Sequence, residues 1–234
     1  MRILLTISVF VLTIFYAHSQ KQAILDVNSG LYLKATAGNA TIYSGREEPK
    51  YKFKTKNHPY LHTEEFREGT LSVNGTVYPG VFLRLNHDIE ELAVLSPDGI
   101  FSVLIPREQI DYAIIDSLYI VYRKPKSTDG IVLPEGYYVR MYNGNSQVWK
   151  RNVSFINNKI TDLVIDYFFD SVTKKYICID GVYFLVNKKR SVLKLYASKK
   201  KEIKKMFKQT GMKYNEDREK AIVIMSRYYD ELNK

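Results

Sequence analysis

The sequence predicts a mainly β protein, an antiparallel meander of sandwich or barrel-like type, that ends in a C-terminal α-helical hairpin. Short apolar runs alternate with polar residues at a period of two, and turn residues separate these runs from about residue 69 to residue 195. After residue 198 the apolar spacing changes to three and four. The predicted organisation is a signal peptide at residues 1–19, a β-rich domain at 20–196 and a basic helical hairpin at 197–234 packed on that domain.

The first nineteen residues have the pattern of a cleaved secretory signal. Arg2 precedes an apolar run at residues 3–16, and Ala17 and Ser19 place small residues before the expected cut. The run is shorter than the roughly 20 residues that a spanning helix requires, so we expect no transmembrane span after cleavage. Cys178 is the one cysteine, and an exported chain without an internal disulfide fits a bacterial envelope. We expect a periplasmic or extracellular protein, with membrane association left open.

The strands are predicted from turns and from side-chain parity. Val81, Leu83 and Leu85 share one face of their run while Arg84 points to the other, as a sheet with one buried face requires. Residues 124–134, KPKSTDGIVLP, are predicted to form a long loop or a seam between subdomains. Four pairs of turn residues that tolerate positive φ predict hairpins: Asn74-Gly75, Asp98-Gly99, Asn143-Gly144 and Asp180-Gly181.

The tail is predicted to contain two amphipathic helices. Ile203, Met206 and Phe207 form the apolar stripe of the first helix, and Gly211 is its expected end. Asn215 is the expected N-cap of the second helix. The stripe of the second helix comprises Ile222, Met225, Tyr229 and Leu232, and it is expected to lie on the β-rich domain or on a partner.

The positive charge of the chain is concentrated in one segment. The sequence has 35 lysines and arginines against 25 aspartates and glutamates, a net charge of +10. Residues 186–213 hold 11 of the basic residues and one acidic residue, so this segment accounts for the excess. The residues that we assign to the binding of an anionic or protein partner are Lys188, Lys189, Arg190, Lys199, Lys200, Lys201 and Lys204.

Two interpretations of these lysines stay open. Lysines opposite an apolar stripe are the ordinary distribution of a solvated helix face. Lys199, Lys200 and Lys201, however, occupy the expected start of a helix, where the dipole disfavours positive charge by about 0.3–1 kcal/mol per site. An anionic partner would relieve that cost. For an exported protein we expect no nucleic acid; an envelope protein or an anionic lipid or glycan surface, lipopolysaccharide included, is the expected partner.

Signals for catalysis are weak. His58 and His62 are four residues apart, a spacing that lets two imidazoles bind one metal ion when both lie on a helix. Pro59 disfavours helical geometry at His58. His87 lies in an expected loop and Cys178 in an apolar strand, where a buried, inert thiol is expected. The sequence has no nucleophile-elbow, zinc-protease or phosphate-loop motif. We therefore expect no catalytic residue, no metal and no cofactor, and we favour a non-enzymatic protein.

Tyrosine supports an alternative function. The chain has 19 tyrosines, and in GYYVRMYNG the residues Tyr138, Arg140 and Tyr142 would form an exposed strip if Tyr137 faces inward. Such a strip suits stacking on a sugar ring. The alternative is therefore a periplasmic protein that binds or hydrolyses glycan in a tyrosine-lined cleft, with a carboxylate pair assembled by folding. Cross-strand packing would explain the same tyrosines.

Several stretches together resemble a known group of proteins. LSVNGTVYPGVFLRL, GYYVRMYNG, DGVYFLV and SVLKLYASKKKEIKKMF, in this order, are similar to uncharacterised exported proteins of Bacteroidota. The resemblance covers most of the chain after the signal and implies a periplasmic or surface-associated location. It contains no catalytic signature and carries no functional residue over. The sequence thus favours a non-enzymatic envelope protein whose basic C-terminal segment binds a partner.

Overall fold

The structure is a computed structural model that describes residues 41–128, 131–161 and 164–233. The predicted signal peptide at residues 1–19 and the first part of the predicted β-rich domain lie outside the described residues. In the described ranges, no helix has the length and apolar character needed to cross a membrane.

Strands are the main secondary structure of the described chain, which confirms the mainly β prediction. Their bounds are β1 Arg46–Glu47, β2 Arg67–Val73, β3 Thr76–Asn86, β4 Glu91–Leu95, β5 Ser102–Leu104, β6 Ile110–Ile115, β7 Leu118–Arg123, β8 Lys126–Thr128, β9 Ile131–Leu133, β10 Gly136–Tyr142, β11 Ser146–Thr161, β12 Val164–Ile179 and β13 Val182–Leu185. Eleven of them form one antiparallel sheet in the order β1-β5-β4-β3-β2-β6-β7-β10-β11-β12-β13. Neighbours in this sheet are also mostly neighbours in the chain, as expected of a meander.

The predicted turns connect consecutive strands. The pairs Asn74-Gly75 and Asp180-Gly181 have φ values of 49° and 78°, and 50° and 79°, and they join β2 to β3 and β12 to β13. Positive φ at both central residues matches the right-handed twist of a hairpin. The turn between β6 and β7 uses Asp116-Ser117, with φ values of 49° and 66°. This turn has no glycine, so it lacks the sequence signal of the other two turns.

The prediction of a long loop at residues 124–134 is wrong. β8 and β9 lie within this stretch and pair antiparallel as a separate two-stranded sheet. The β-branched residues Ile131 and Val132 favour a strand. The turn residues between the two strands dominated the sequence pattern and concealed the short strands beside them.

Three α-helices follow the sheet: α1 Lys189–Leu195, α2 Lys200–Gln209 and α3 Arg218–Glu231. The last two are the predicted hairpin, and Gly211 follows α2 with a φ of 67°. Two local predictions are wrong. The sequence favours a turn at Lys188 to Arg190, upstream of the first predicted helix, but α1 begins at Lys189. The N-cap of α3 is Asp217 and not Asn215. The Asp217 carboxylate accepts a hydrogen bond from the backbone N–H of Lys220 at 2.8 Å.

The helices pack on one face of the sheet. Ile203 and Phe207 of α2 and Ile222 and Met225 of α3 are at most 2% exposed, in a core that includes Val148 and Ile177 of the sheet. The opposite face of these strands is covered by a second cluster of Trp149, Tyr176, Cys178 and Tyr183 with neighbouring side chains. The remaining core lies between β2–β7, β10 and the first described residues. The apolar stripes of the tail therefore lie on the chain's own sheet.

A buried carboxylate joins α3 to the turn between β10 and β11. Asp230 is 4% exposed and accepts hydrogen bonds from the backbone N–H and the hydroxyl of Ser146, at 3.0 and 2.6 Å, and from the hydroxyl of Tyr142 at 3.1 Å. A Cβ on Gly144 would collide with Asp230 and Tyr142. The glycine of the predicted Asn143-Gly144 turn is thus required by a contact with the helix.

β11 and β12 extend beyond the rest of the sheet as a two-stranded arm. Their ladder runs from Ser146–Ile179 to Thr161–Val164, while β10 pairs with β11 only as far as Lys150 and β13 pairs with β12 only from Tyr176. Residues 51–57 lie beside β12, where Phe53 stacks on Tyr167 with the ring centroids 4.4 Å apart. Ile160 at 69% and Val164 at 59% are exposed near the end of the arm.

Candidate anion-binding site

A groove of about 780 Å³ lies between α1 and α2. Its lining is basic except for Leu193 and Ala197, which are apolar; we call the basic side chains its rims and these two residues its floor. We call it the basic groove. The basic side chains that line it are Lys189, Arg190 and Lys194 from α1 and Lys200, Lys204 and Lys208 from α2.

Helical spacing places these side chains on one surface. Lys200, Lys204 and Lys208 are four residues apart, so they follow one side of α2. Arg190 and Lys194 have the same spacing on α1. The opposite sides of both helices are buried against the sheet. Packing of the apolar stripes therefore turns both basic rows outward toward the same groove.

No acidic side chain lines the basic groove in the described ranges, and none of its six cations lies within 4 Å of a carboxylate there. Lysines elsewhere on the helix-bearing face are different. Lys150 and Lys175 both face Glu219 of α3, with Nζ to carboxylate oxygen distances of 2.9 and 3.8 Å. The cations of the groove repel one another, and no carboxylate of the described residues offsets that repulsion.

Lys189 holds a special position among the six cations. Its Nζ lies 4.2 Å from the centroid of the Phe207 ring, a cation–π distance. Phe207 is 2% exposed and belongs to the helix–sheet core. The ring thus fixes one ammonium group at the end of the groove, whereas the other lysines extend toward solvent.

Four of the seven predicted binding residues line the basic groove: Lys189, Arg190, Lys200 and Lys204. Lys188 lies at an adjoining hollow. Lys199 and Lys201 do not line the groove. The sequence prediction omitted Lys194 and Lys208, although both continue the four-residue spacing of predicted members, and that spacing was the signal that would have found them.

Comparison of this chain with protein-family models, with curated protein sequences and with solved structures finds no match. The resemblance to exported proteins of Bacteroidota therefore stays a prediction.

The predicted tyrosine strip is not exposed as expected. Tyr138 is fully buried, and its hydroxyl donates to the carbonyl of Pro134 at 2.6 Å. Arg140 lies over the Tyr119 ring at 3.9 Å, and Tyr142 donates to Asp230. Both faces of the sheet are covered here, so Tyr137 and Tyr138 are buried together. The prediction from alternating side chains assumed that only one face of the strand is buried. Side chains from other elements cover the second face as well, so the prediction of an exposed strip fails.

The histidines and the cysteine occupy separate environments. His62 has its Nδ1 3.6 Å from a carboxylate oxygen of Asp116, and His58 lies against the Tyr60 ring with centroids 6.1 Å apart. Burial, together with the smaller effect of positive charge nearby, lowers the pKa of His87 to about 4. Cys178 is buried, as expected. Within the described residues, no group of three or more His, Cys, Asp or Glu side chains is placed to hold a metal ion.

Proposed function

We propose that this chain is a non-enzymatic, exported envelope protein that binds anionic lipid head groups through the basic groove. The observation that supports the proposal is the concave surface on which six cations converge, with no carboxylate among the described residues that line it. Each Lys or Arg near an anionic membrane contributes about 1 kcal/mol to binding. Six such groups on one surface therefore suffice for salt-dependent association.

The floor of the groove favours lipid over a purely polar anion. Leu193 and Ala197 are apolar, and the long stems of Lys194, Lys200 and Lys204 add methylene surface below their ammonium groups. A lipid offers phosphate oxygens to the charged rims and apolar carbon to the floor. The predicted signal peptide supports an envelope location, where nucleic acid is not the available polyanion.

The test is vesicle binding with matched variants. The groove variant carries Lys194→Gln, Lys200→Gln and Lys204→Gln, and its control carries Lys52→Gln, Lys54→Gln and Lys174→Gln, three exposed lysines outside the groove. Both variants lose the same formal charge. Cosedimentation of the full chain, from which the signal has been removed, with phosphatidylglycerol vesicles and with phosphatidylcholine vesicles measures the partition coefficient at low and high salt.

We expect the wild type to bind the anionic vesicles at low salt and to dissociate at high salt. The groove variant should lose about 100-fold in partition coefficient, since three lysines contribute about 1 kcal/mol each. The control should lose much less. Equal losses in the two variants, or salt-independent binding to both vesicle types, would contradict the proposal. Absence of vesicle binding together with groove-dependent capture of an acidic envelope protein would favour a protein partner instead.

A further inference from the structure

A second hollow, of about 470 Å³, adjoins the basic groove and shares Lys189 and Arg190 with it. It lies between the start of α1 and the segment that joins α2 to α3. Lys188 and Arg218 also line it, so four cationic side chains from two separate stretches of chain meet here. No carboxylate is among the described residues that line it. We call it the small hollow.

Tyr214 gives the small hollow a buried donor that lacks a partner. The residue lines the hollow and is 8% exposed, and its hydroxyl is buried without a hydrogen-bond partner in the described ranges. Burial raises the pKa of this hydroxyl, while Arg218 acts in the opposite direction. The group therefore stays protonated near neutral pH and can donate. An unpaired buried hydroxyl is destabilising, and an acceptor in the hollow would remove that cost.

Asn215 adds a neutral donor beside the charges. Its sequence position suggested a helix cap, but Asp217 performs that role, and the side chain of Asn215 has no hydrogen bond within the described part of the chain. Asn215 lines the hollow and is exposed. Its carboxamide is thus available to a ligand.

The donor set distinguishes between classes of anion. A carboxylate has two oxygens and a single charge, which two cations would neutralise. A phosphate monoester carries a charge of about −1.5 to −2 near neutral pH and three acceptor oxygens. Two arginine forks, two ammonium groups, a hydroxyl and an amide match the larger number of acceptors and the higher charge.

We propose that the small hollow binds a phosphate monoester group, and that the adjoining basic groove holds the remainder of the same ligand. The first half of this proposal is independent of the proposed lipid binding, and the second half rests on it. Lys189 and Arg190 lie on both sites and would contact both parts of the ligand.

The first experiment uses soluble probes and the full chain without its signal. NMR titration with methyl phosphate and with dimethyl phosphate, at constant ionic strength, compares a monoester with a diester. We expect saturable binding of methyl phosphate that is about tenfold tighter than that of dimethyl phosphate, because the monoester offers the donors of the hollow one more charged acceptor oxygen.

Two variants locate the site. Tyr214→Phe removes the hydroxyl and keeps the ring, and Arg218→Gln removes one cation from an exposed position. Each should weaken methyl phosphate binding about tenfold. Tyr228→Phe is the control, because Tyr228 lies on α3 and lines neither cavity. Since the Tyr214 hydroxyl has no partner in the described fold, Tyr214→Phe should not lower the melting temperature, so weaker binding would not reflect unfolding.

A second arm identifies the source of the phosphate. Vesicles with phosphatidic acid and vesicles with phosphatidylglycerol are compared at equal surface potential. Preference for phosphatidic acid that is lost in Arg218→Gln supports a lipid head group, and methyl phosphate binding without that preference supports a soluble phosphate ester. Equal affinity for both methyl esters, unchanged in the two variants, overturns the proposal. The proposed function is tested separately, by the binding of phosphatidylglycerol vesicles, and that result does not depend on the small hollow.

Discussion

The sheet and the helical segment treat their positive charges in opposite ways. In the sheet and its connections, Arg84, Arg107 and Arg151 are at most one-third exposed, and each donates to a glutamate at 2.7–2.8 Å. In the helical segment, the six cations of the basic groove have no such partner among the described residues. A charge that leaves water must be paired, whereas a charge on a wet rim has no such requirement. The ion pairs of the sheet therefore belong to the stability of the fold. The cations of the groove, unpaired within the described ranges, are available to bind an anionic ligand.

The largest effect that tests this contrast is expected at Arg151. Its guanidinium donates to both oxygens of Glu90, at 2.8 and 2.9 Å, and to the carbonyl of Glu135 at 2.7 Å. Arg151→Met leaves Glu90 and that carbonyl without their donor and should lower the free energy of unfolding by about 3 kcal/mol. Denaturant unfolding measures it. Arg46→Met is the control, since Arg46 is 73% exposed and 3.9 Å from Glu91, and it should cost less than about 1 kcal/mol. Similar losses in both would remove the distinction.

His87 provides the next effect and a pH dependence. It is buried, with Lys150, Arg151 and His62 as its charged neighbours, and its pKa falls from 6.5 to about 4. The unfolded chain therefore binds more protons than the folded protein between these values, and stability decreases as the pH falls through this window. The whole shift corresponds to roughly 3 kcal/mol. His87→Gln should flatten the pH dependence of the unfolding free energy between pH 6.5 and 4. An unchanged slope would show that His87 is not the responsible group.

The smallest effect concerns the stability of the groove itself. Lys204 lies four residues from both Lys200 and Lys208, and like charges at this spacing destabilise a helix by about 0.2–0.5 kcal/mol per pair. Lys204→Gln should therefore raise the unfolding free energy by up to about 1 kcal/mol, with the gain reduced in high salt. Lys174→Gln is the control on an exposed strand position. A loss of stability in Lys204→Gln would mean that this lysine has a structural partner.

Local sequence signals predicted the fold well where a turn or a period carried the information. Glycine at three of the four predicted turns has positive φ, and Ile203, Phe207, Ile222 and Met225 of the predicted stripes are buried. Signals failed where a contact decides the outcome. α1 has only seven residues, too few for a clear period, and its start at Lys189 looked like a turn.

The concentration of positive charge at the candidate site was predictable from the sequence, but the groove that the charged side chains line was not. The clustering of lysines in residues 186–213 is visible in the chain. The groove, however, exists only because α1 and α2 pack on the same sheet and present their basic rows to each other. The small hollow joins residues near 188 to residues near 214 and 218, and nothing in a linear pattern indicates that approach. The burial of Tyr138 is likewise a tertiary effect.

The projecting β11–β12 arm has a consequence for handling the purified protein. Along residues 155–161 the outer side of β11 has no neighbouring strand among the described elements, and Ile160, Val164 and Ile165 near the tip are exposed apolar side chains. Such an edge is a template on which a further chain can add a strand. The amide oxygen of Asn157 already accepts from the backbone N–H of Asn158 at 2.9 Å, which withdraws one donor, and Lys159 adds a charge. In concentrated solution, reversible self-association should begin at this protruding hairpin. A polar substitution of Ile160 is the natural first step toward a monodisperse sample.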